Sequence, residues 1–232
     1  MQKAPPYAKV FHDLIGADNA ATVTVASQII HWAHLADYRR DGKTWVRTTA
    51  PDLATRFGWS EGTARRACTA LKATGWFHSR TVKVCGRVCT AWAPNREALQ
   101  AVTGWSDDTL ERVLAGRGPV SITVVPQGTH RLPERALLLS ALAYLGRCQQ
   151  SPTVAVRVDW LADRLRAPVR KIRRALLESA SEGDLTIRHT TLGEISGVTL
   201  DADRLVTLAA KPLMTARPER AIPKYRLFIV GT

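Results

Sequence analysis

Apolar and polar positions along this chain alternate between a helical and a strand period, and the sequence of those periods occurs twice. A long apolar stretch from Ala21 to Tyr38 predicts a helix, and Thr44 to Arg47 a short strand. Pro51 follows Thr49 and Ala50 at the start of a helix to Phe57, a place where its fixed φ and missing donor cost nothing, and Gly58 stops it. Ser60 offers a hydroxyl to the orphan amides of a longer helix from Glu61 to Thr74, where Glu61 suits the positive end of the dipole and Gly75 the left-handed cap. Phe77 to Val84 and Arg87 to Ala93 then alternate at a strand period about a turn at Cys85 and Gly86, which predicts a hairpin.

The second half repeats this order. At an offset of 108 residues Leu161 falls on Leu53, and no gap is needed until Leu185 falls on Phe77. Leu53, Ala54, Arg56, Arg65, Arg66, Ala67 and Gly75 recur as Leu161, Ala162, Arg164, Arg173, Arg174, Ala175 and Gly183, seven identities in 25 positions. Apolar positions also agree: Phe57 falls on Leu165, Ala64 on Ile172 and Cys68 on Leu176. A helix from Pro133 to Gln149, a strand from Val154 to Val158, a helix from Trp160 to Arg166 capped by Asp159, and a helix with Pro168 in its first turn and its end before Gly183 complete the second set. Its hairpin is Leu185 to Thr190 and Ile195 to Leu200, turning near Gly193. Helix, strand, helix, helix, hairpin is the order of a winged helix, so the expected class is α+β, predominantly helical, with two winged-helix domains in tandem.

The expected boundaries are an N-terminal domain over 1–95, a helical linker over 96–126 and a C-terminal domain over 127–232 with a basic tail. In the linker, Arg96 to Val102 and a segment capped by Ser106, with Asp107 and Asp108 in its first turn, read as short helices. Val120 to Val125 and Tyr225 to Val230 alternate like strands that pair with each other, and Lys211 to Lys224 is a basic, proline-spaced tether or phosphate-contacting extension.

Charge narrows the partner. The chain carries 33 Lys and Arg against 20 Asp and Glu, a formal +13 with an isoelectric point near 10.3, and such a field selects polyanions, nucleic acid foremost. No apolar run reaches membrane-spanning length, and Met1 to Ala8 lacks the apolar core of a signal peptide, so a soluble, cytoplasmic protein with no membrane contact is expected. Cys68, Cys85, Cys89 and Cys148 are too scattered for a secreted disulfide framework and read as reduced thiols.

On the helix from Glu61, residues Ala64, Ala67, Cys68 and Leu71 form the buried stripe, which turns Glu61, Gly62, Arg65, Arg66, Thr69 and Lys72 outward. The second helix hides Val169, Ile172, Ala175 and Leu176 and presents Arg170, Lys171, Arg173 and Arg174 within a turn and a half. Four cations so close repel one another, and a phosphate backbone relieves them with release of counterions. An arginine fork can also donate twice to O6 and N7 of guanine, which lysine cannot. Arg80, Lys83 and Arg87 suit a first wing along phosphate, while the second wing offers Arg188 and His189. The expected DNA-facing set is therefore Thr63, Arg65, Arg66, Thr69, Lys72, Arg80, Lys83, Arg87, Arg170, Lys171, Arg173, Arg174 and Arg188. A solvated charged face without a partner is the bland alternative.

Other chemistry is not supported. Trp59, Trp76 and Trp92 read as packing rather than base-stacking residues; Cys85 and Cys89 lack a second ligand pair at zinc spacing; His31 and His34 lack a third ligand. Phosphate-cradling and dinucleotide motifs are absent, so no enzyme, no metal and no cofactor is expected.

The segment DGKTWVRTTAPDLATRFGWSEGTARRACTALKATGWF, the preceding helix Val25 to Tyr38 and a hairpin ending TAWAPN resemble the winged-helix domains of phage and plasmid replication proteins. In its two-copy layout the chain resembles the tandem winged-helix replication initiators of plasmids. That resemblance implies binding to double-stranded origin repeats, origin opening and host replication proteins as partners, and it places Arg65, Arg66, Arg173 and Arg174 at DNA; a homodimer stays open. A winged-helix transcriptional regulator of a mobile element and a protein-interaction scaffold are the alternatives, and the scaffold fits the basic surface least.

Overall fold

The computed structural model describes residues 7–117, 122–126 and 133–201. It is a mixed α+β chain in which helical residues outnumber extended ones. In chain order the elements are β1 (Tyr7–Phe11), a 3-10 turn (His12–Leu14), α1 (Ala20–Ala33), β2 (Tyr38–Arg40), β3 (Lys43–Thr48), α2 (Ala50–Phe57), α3 (Glu61–Thr74), β4 (Phe77–Val84), β5 (Arg87–Pro94), α4 (Arg96–Thr103), α5 (Asp107–Leu114), β6 (Ile122–Pro126), α6 (Pro133–Cys148), β7 (Thr153–Ala155), α7 (Val158–Arg164), α8 (Val169–Ser181), β8 (Leu185–His189) and β9 (Ile195–Leu200). The expected order of helix, strand, helix, helix and hairpin thus occurs in both halves.

Local chemistry explains the punctuation of the first copy. Asn19, Thr49 and Ser60 each accept a hydrogen bond from a first-turn amide of α1, α2 and α3 in turn, and Gly58 and Gly75 take left-handed conformations, at φ 64° and 71°, that end α2 and α3. The connector folds as expected, with Ser106 capping α5 through the Thr109 amide and Asp107 and Asp108 in its first turn.

Several expectations change. The first long helix ends at Ala33, not Tyr38, because Tyr38 to Arg40 pairs with Lys43 to Trp45 across a two-residue turn. Asp41 and Gly42 both hold positive φ, 53° and 68°, the twist a tight hairpin demands. The strand expected to reach Val158 stops at Ala155, and Val158 opens α7. Asp159 does not cap that helix: Arg157 occupies the cap position without a side-chain bond to the helix's free amides, and its guanidinium instead pairs with Asp159 in the first turn, which holds the Asp159 carboxyl below its ordinary pKa. Pro168 precedes α8 as its cap residue rather than entering its first turn. Val169, expected in the buried stripe, is 46% exposed because it stands at the first position of α8, where the core no longer covers it.

Sheets follow from the hairpins. One has the order β2-β3-β5-β4 and another β7-β9-β8, so in each copy the strand ahead of the helix pair, β3 or β7, pairs with the second arm of the hairpin that follows it. The third pairs β1 with β6 antiparallel, Tyr7 opposite Pro126 and Phe11 opposite Ile122. The strand near 120–125 therefore has the N-terminal segment as its described partner. Its expected partner, 225–230, and the basic stretch 211–224 lie outside the described residues.

One apolar cluster runs through both halves, joining Ile29, Leu53, Phe57, Leu71 and Trp92 of the first to Leu138, Leu142, Leu161, Ile172 and Val198 of the second, while Trp45, Ala91 and Ala93 pack separately on the first sheet. It passes through the contact of α1 with α6. Two guanidinium bonds reinforce the junction: Arg164 Nη1 donates to the Ile15 carbonyl at 2.5 Å and Arg166 Nη1 to that of Ala17 at 3.2 Å. His12 stacks on Tyr144 with centroids 4.3 Å apart. Among the described residues no helix is long and apolar enough to cross a membrane.

Candidate nucleic-acid interface

In each half the second helix of the helix pair is amphipathic, and its buried stripe fixes which cations face out. Ala64, Ala67 and Leu71 hold α3 against α1 and α2; Ile172, Ala175 and Leu176 hold α8 against α6 and α7. Cys68, expected in the stripe, is half-buried, and that burial raises its thiol pKa against the opposing pull of Lys72. The repeat thus carries Arg65 and Arg66, and Arg173 and Arg174, to equivalent exposed positions.

Their electrostatic settings differ. On α3, Arg65 meets Glu61 one turn back at 3.2 Å, and Arg66 donates to the Thr63 hydroxyl at 3.4 Å. Thr63 is half-buried beside the cap, its hydroxyl 3.0 Å from that of Ser60, while Thr69 and Lys72 are exposed further along the same face. On α8, Arg174 pairs with Glu178 at 2.8 Å and Lys171 with Glu134 of α6 at 2.6 Å. Arg170 and Arg173 are exposed and join no ion pair among the described residues. An arginine already holding a carboxylate must release or share it to take a phosphate, so Arg170 and Arg173 meet an incoming anion at least cost.

The first wing divides into two parts. Lys83 and Arg87 are exposed beside the Cys85-Gly86 turn, as expected of a hairpin tip that meets phosphate. Arg80 is instead drawn onto the sheet: its guanidinium lies 4.7 Å from the Trp45 ring centre, donates to the Tyr38 hydroxyl at 3.1 Å and pairs with Asp41 at 3.0 Å. Its side chain is only 23% exposed. Bonds from Arg40 and Arg80 hold the Tyr38 hydroxyl below the ordinary tyrosine pKa. Sequence alone gave no hint of this cage, because it needs the β2–β3 hairpin to bring Tyr38, Asp41 and Trp45 alongside β4. In the second wing Arg188 and His189 are exposed, with His189 Nδ1 3.1 Å from the Gly193 carbonyl.

The remaining candidates have structural settings. Trp59, Trp76 and Trp92 are buried, and Trp92 Nε1 donates to Thr48 Oγ1 at 3.1 Å. Cys85 is exposed and Cys89 half-buried, and both are free thiols. His31 of α1 and His34, the residue that caps that helix, lie ring to ring at 5.1 Å. Among the described residues no group of three His, Cys, Asp or Glu is arranged to hold a metal ion.

Two residues the sequence reading passed over position α8. Glu134 and Arg135, at the start of α6, are buried; Glu134 takes Lys171, and Arg135 forks onto Glu182 with two bonds of 2.8 Å while also reaching Asp184 at 2.6 Å. Burial opposes the Arg135 charge, and the bonds to Glu182 and Asp184 outweigh it, raising the pKa above the ordinary arginine value. Their signal in the sequence was faint: a charged pair directly after Pro133, ahead of an apolar run.

No protein-family model matches the chain, and no curated protein matches it.

Proposed function

We propose that this chain is a non-enzymatic, sequence-specific double-stranded DNA-binding protein built from two winged helices in tandem, with α3 and α8 as the helices that enter the major groove. The observation that carries the reading is the pair of adjacent exposed arginines at equivalent places on both helices, Arg65 with Arg66 and Arg173 with Arg174. Such helices read base edges from their N-terminal halves, where these residues stand. Lys83 and Arg87 at one hairpin tip and Arg188 in the other add phosphate contacts at the flanks. The overall +13 charge supports a polyanion over a neutral partner.

Within DNA binding, replication initiation on a plasmid or phage is the favoured role, supported by the resemblance of the two-copy layout to plasmid initiators. Host replication proteins would then be its further partners. A footprint covering an array of short repeats would support initiation, and one confined to a promoter operator would replace it with transcriptional regulation.

Fluorescence anisotropy on labelled duplex tests the reading directly. Affinity is expected to fall steeply with salt, with a log-log slope of about −5 or steeper when both helices engage. A flat salt response would exclude the phosphate backbone as the main contact and overturn the reading.

A further inference from the structure

The outward face of α8 is not uniformly cationic. Arg170, Arg173, Arg174 and Leu177 fall at i, i+3, i+4 and i+7, one stripe opposite the buried Ile172, Ala175, Leu176 and Ser179. Leu177 stands 52% exposed in that stripe, one turn beyond Arg173 and Arg174. Val169 is exposed because it starts the helix, whereas Leu177 lies in the helix interior and owes its exposure to the helix phase. At the same offset of 108 its counterpart on α3 is Thr69, and Gly62, Arg65, Arg66 and Thr69 occupy the first copy's stripe, all exposed. The repeat therefore preserves two arginines and, one turn on, a side chain that carries a methyl group.

Geometry limits what Leu177 can meet. Long side chains on a helix lean toward its N-terminus, so Leu177 covers the turn that carries Arg173. Arg173 joins no ion pair among the described residues, whereas Arg174 is drawn aside by Glu178 at 2.8 Å. An apolar side chain so placed gains nothing from phosphate. In a major groove the apolar group that a helix can reach is the C5 methyl of thymine. From Arg170 to Leu177 the helix rises about 10 Å, the length of about three base-pair steps, so the stripe reads neighbouring bases. We infer that Leu177 is a specificity-determining residue of α8, and that it packs on the C5 methyl of a thymine next to the guanine taken by Arg173. The inference rests on the DNA reading above. The arginines supply affinity and the choice of guanine, and Leu177 rejects cytosine at the thymine's place, because cytosine presents there an N4 donor that leucine leaves unpaired and no methyl.

Selection of the full chain on a random duplex pool, followed by uracil substitution in the enriched duplex at one thymine at a time, tests this, since uracil removes the methyl and nothing else. Anisotropy should show a loss of roughly fourfold in affinity, the worth of one buried methyl, at a thymine beside a guanine whose preference Arg173→Ala abolishes. Leu177→Ala should bind the thymine duplex about as weakly as the wild type binds the uracil one and should not distinguish the two. Its thermal melt should match the wild type, because Leu177 lies off the buried stripe. Uracil tolerated at every thymine, a uracil effect that persists in Leu177→Ala, or an equal loss on every duplex in that variant would overturn the inference and leave DNA binding standing. Failure to enrich any duplex would overturn both.

Discussion

Arg135 Nη2 donates to Asp184 Oδ2 across 2.6 Å, and both side chains are only 1% exposed. The pair joins the first turn of α6 to the residue just before β8, and Glu182, the residue that caps α8, completes the fork. A buried charge left alone costs far more than the pair contributes, so the prediction concerns removal of one partner. Arg135→Ala should lower unfolding free energy by roughly 3–5 kcal/mol. Urea denaturation measures it, and a loss below about 1 kcal/mol would mean that water reaches the site.

Duplex binding and stability should separate at α8. Arg173 and Arg174 lie off the buried stripe, and the exposed Arg174–Glu178 pair contributes at most about 1 kcal/mol to folding. Replacing both arginines by alanine is expected to leave the melting temperature nearly unchanged and to cost several kcal/mol, about 2–6, of duplex affinity by anisotropy. A variant that fails to fold would show that the helix is turned otherwise.

Arg80 and the wing-tip cations should behave differently from one another. Lys83→Ala with Arg87→Ala removes two exposed charges at the tip, so the salt slope should shrink by about 2 while stability holds. Arg80→Ala takes away the contacts to Trp45, Tyr38 and Asp41, and should reduce stability by about 1–2 kcal/mol. Arg80→Lys would not restore it, since an ammonium cannot both stack and fork. Equal stability of Arg80→Ala and wild type in thermal melts would refute the cage.

Thiol alkylation followed by mass spectrometry should rank the cysteines by environment. Cys85 at the hairpin tip is exposed and should be modified first. Cys68 should lag well behind, because burial on α3 raises its thiol pKa and depletes the reactive thiolate. Early modification of Cys68 would show α3 lifting from α1.

Much of the local structure was legible because it depends on near neighbours. Ser60 and Thr49 cap their helices and Gly58 and Gly75 end theirs as their chemistry requires, and Cys85-Gly86 turns the first hairpin. The Asp41-Gly42 turn was legible too, being a strong hairpin signal, yet the apolar run before it drew the helix five residues too far. Val169 was misplaced for a different reason: periodicity gives a helix face its phase but not where along the helix the core stops covering it.

The sequence by itself determined the repeated helix, strand, helix, helix and hairpin order and the outward phase of Arg65, Arg66, Arg173 and Arg174. Capping, turn geometry and amphipathic spacing act over a few residues, so they are written in the chain. Tertiary structure alone decided that Arg80 is folded onto Trp45, that Arg135 lies buried between Glu182 and Asp184, and that β1 pairs with β6. Each of these joins segments distant along the chain, and apolar burial and hydrogen bonding across such distances are settled only once the sheets and helices that carry them have packed.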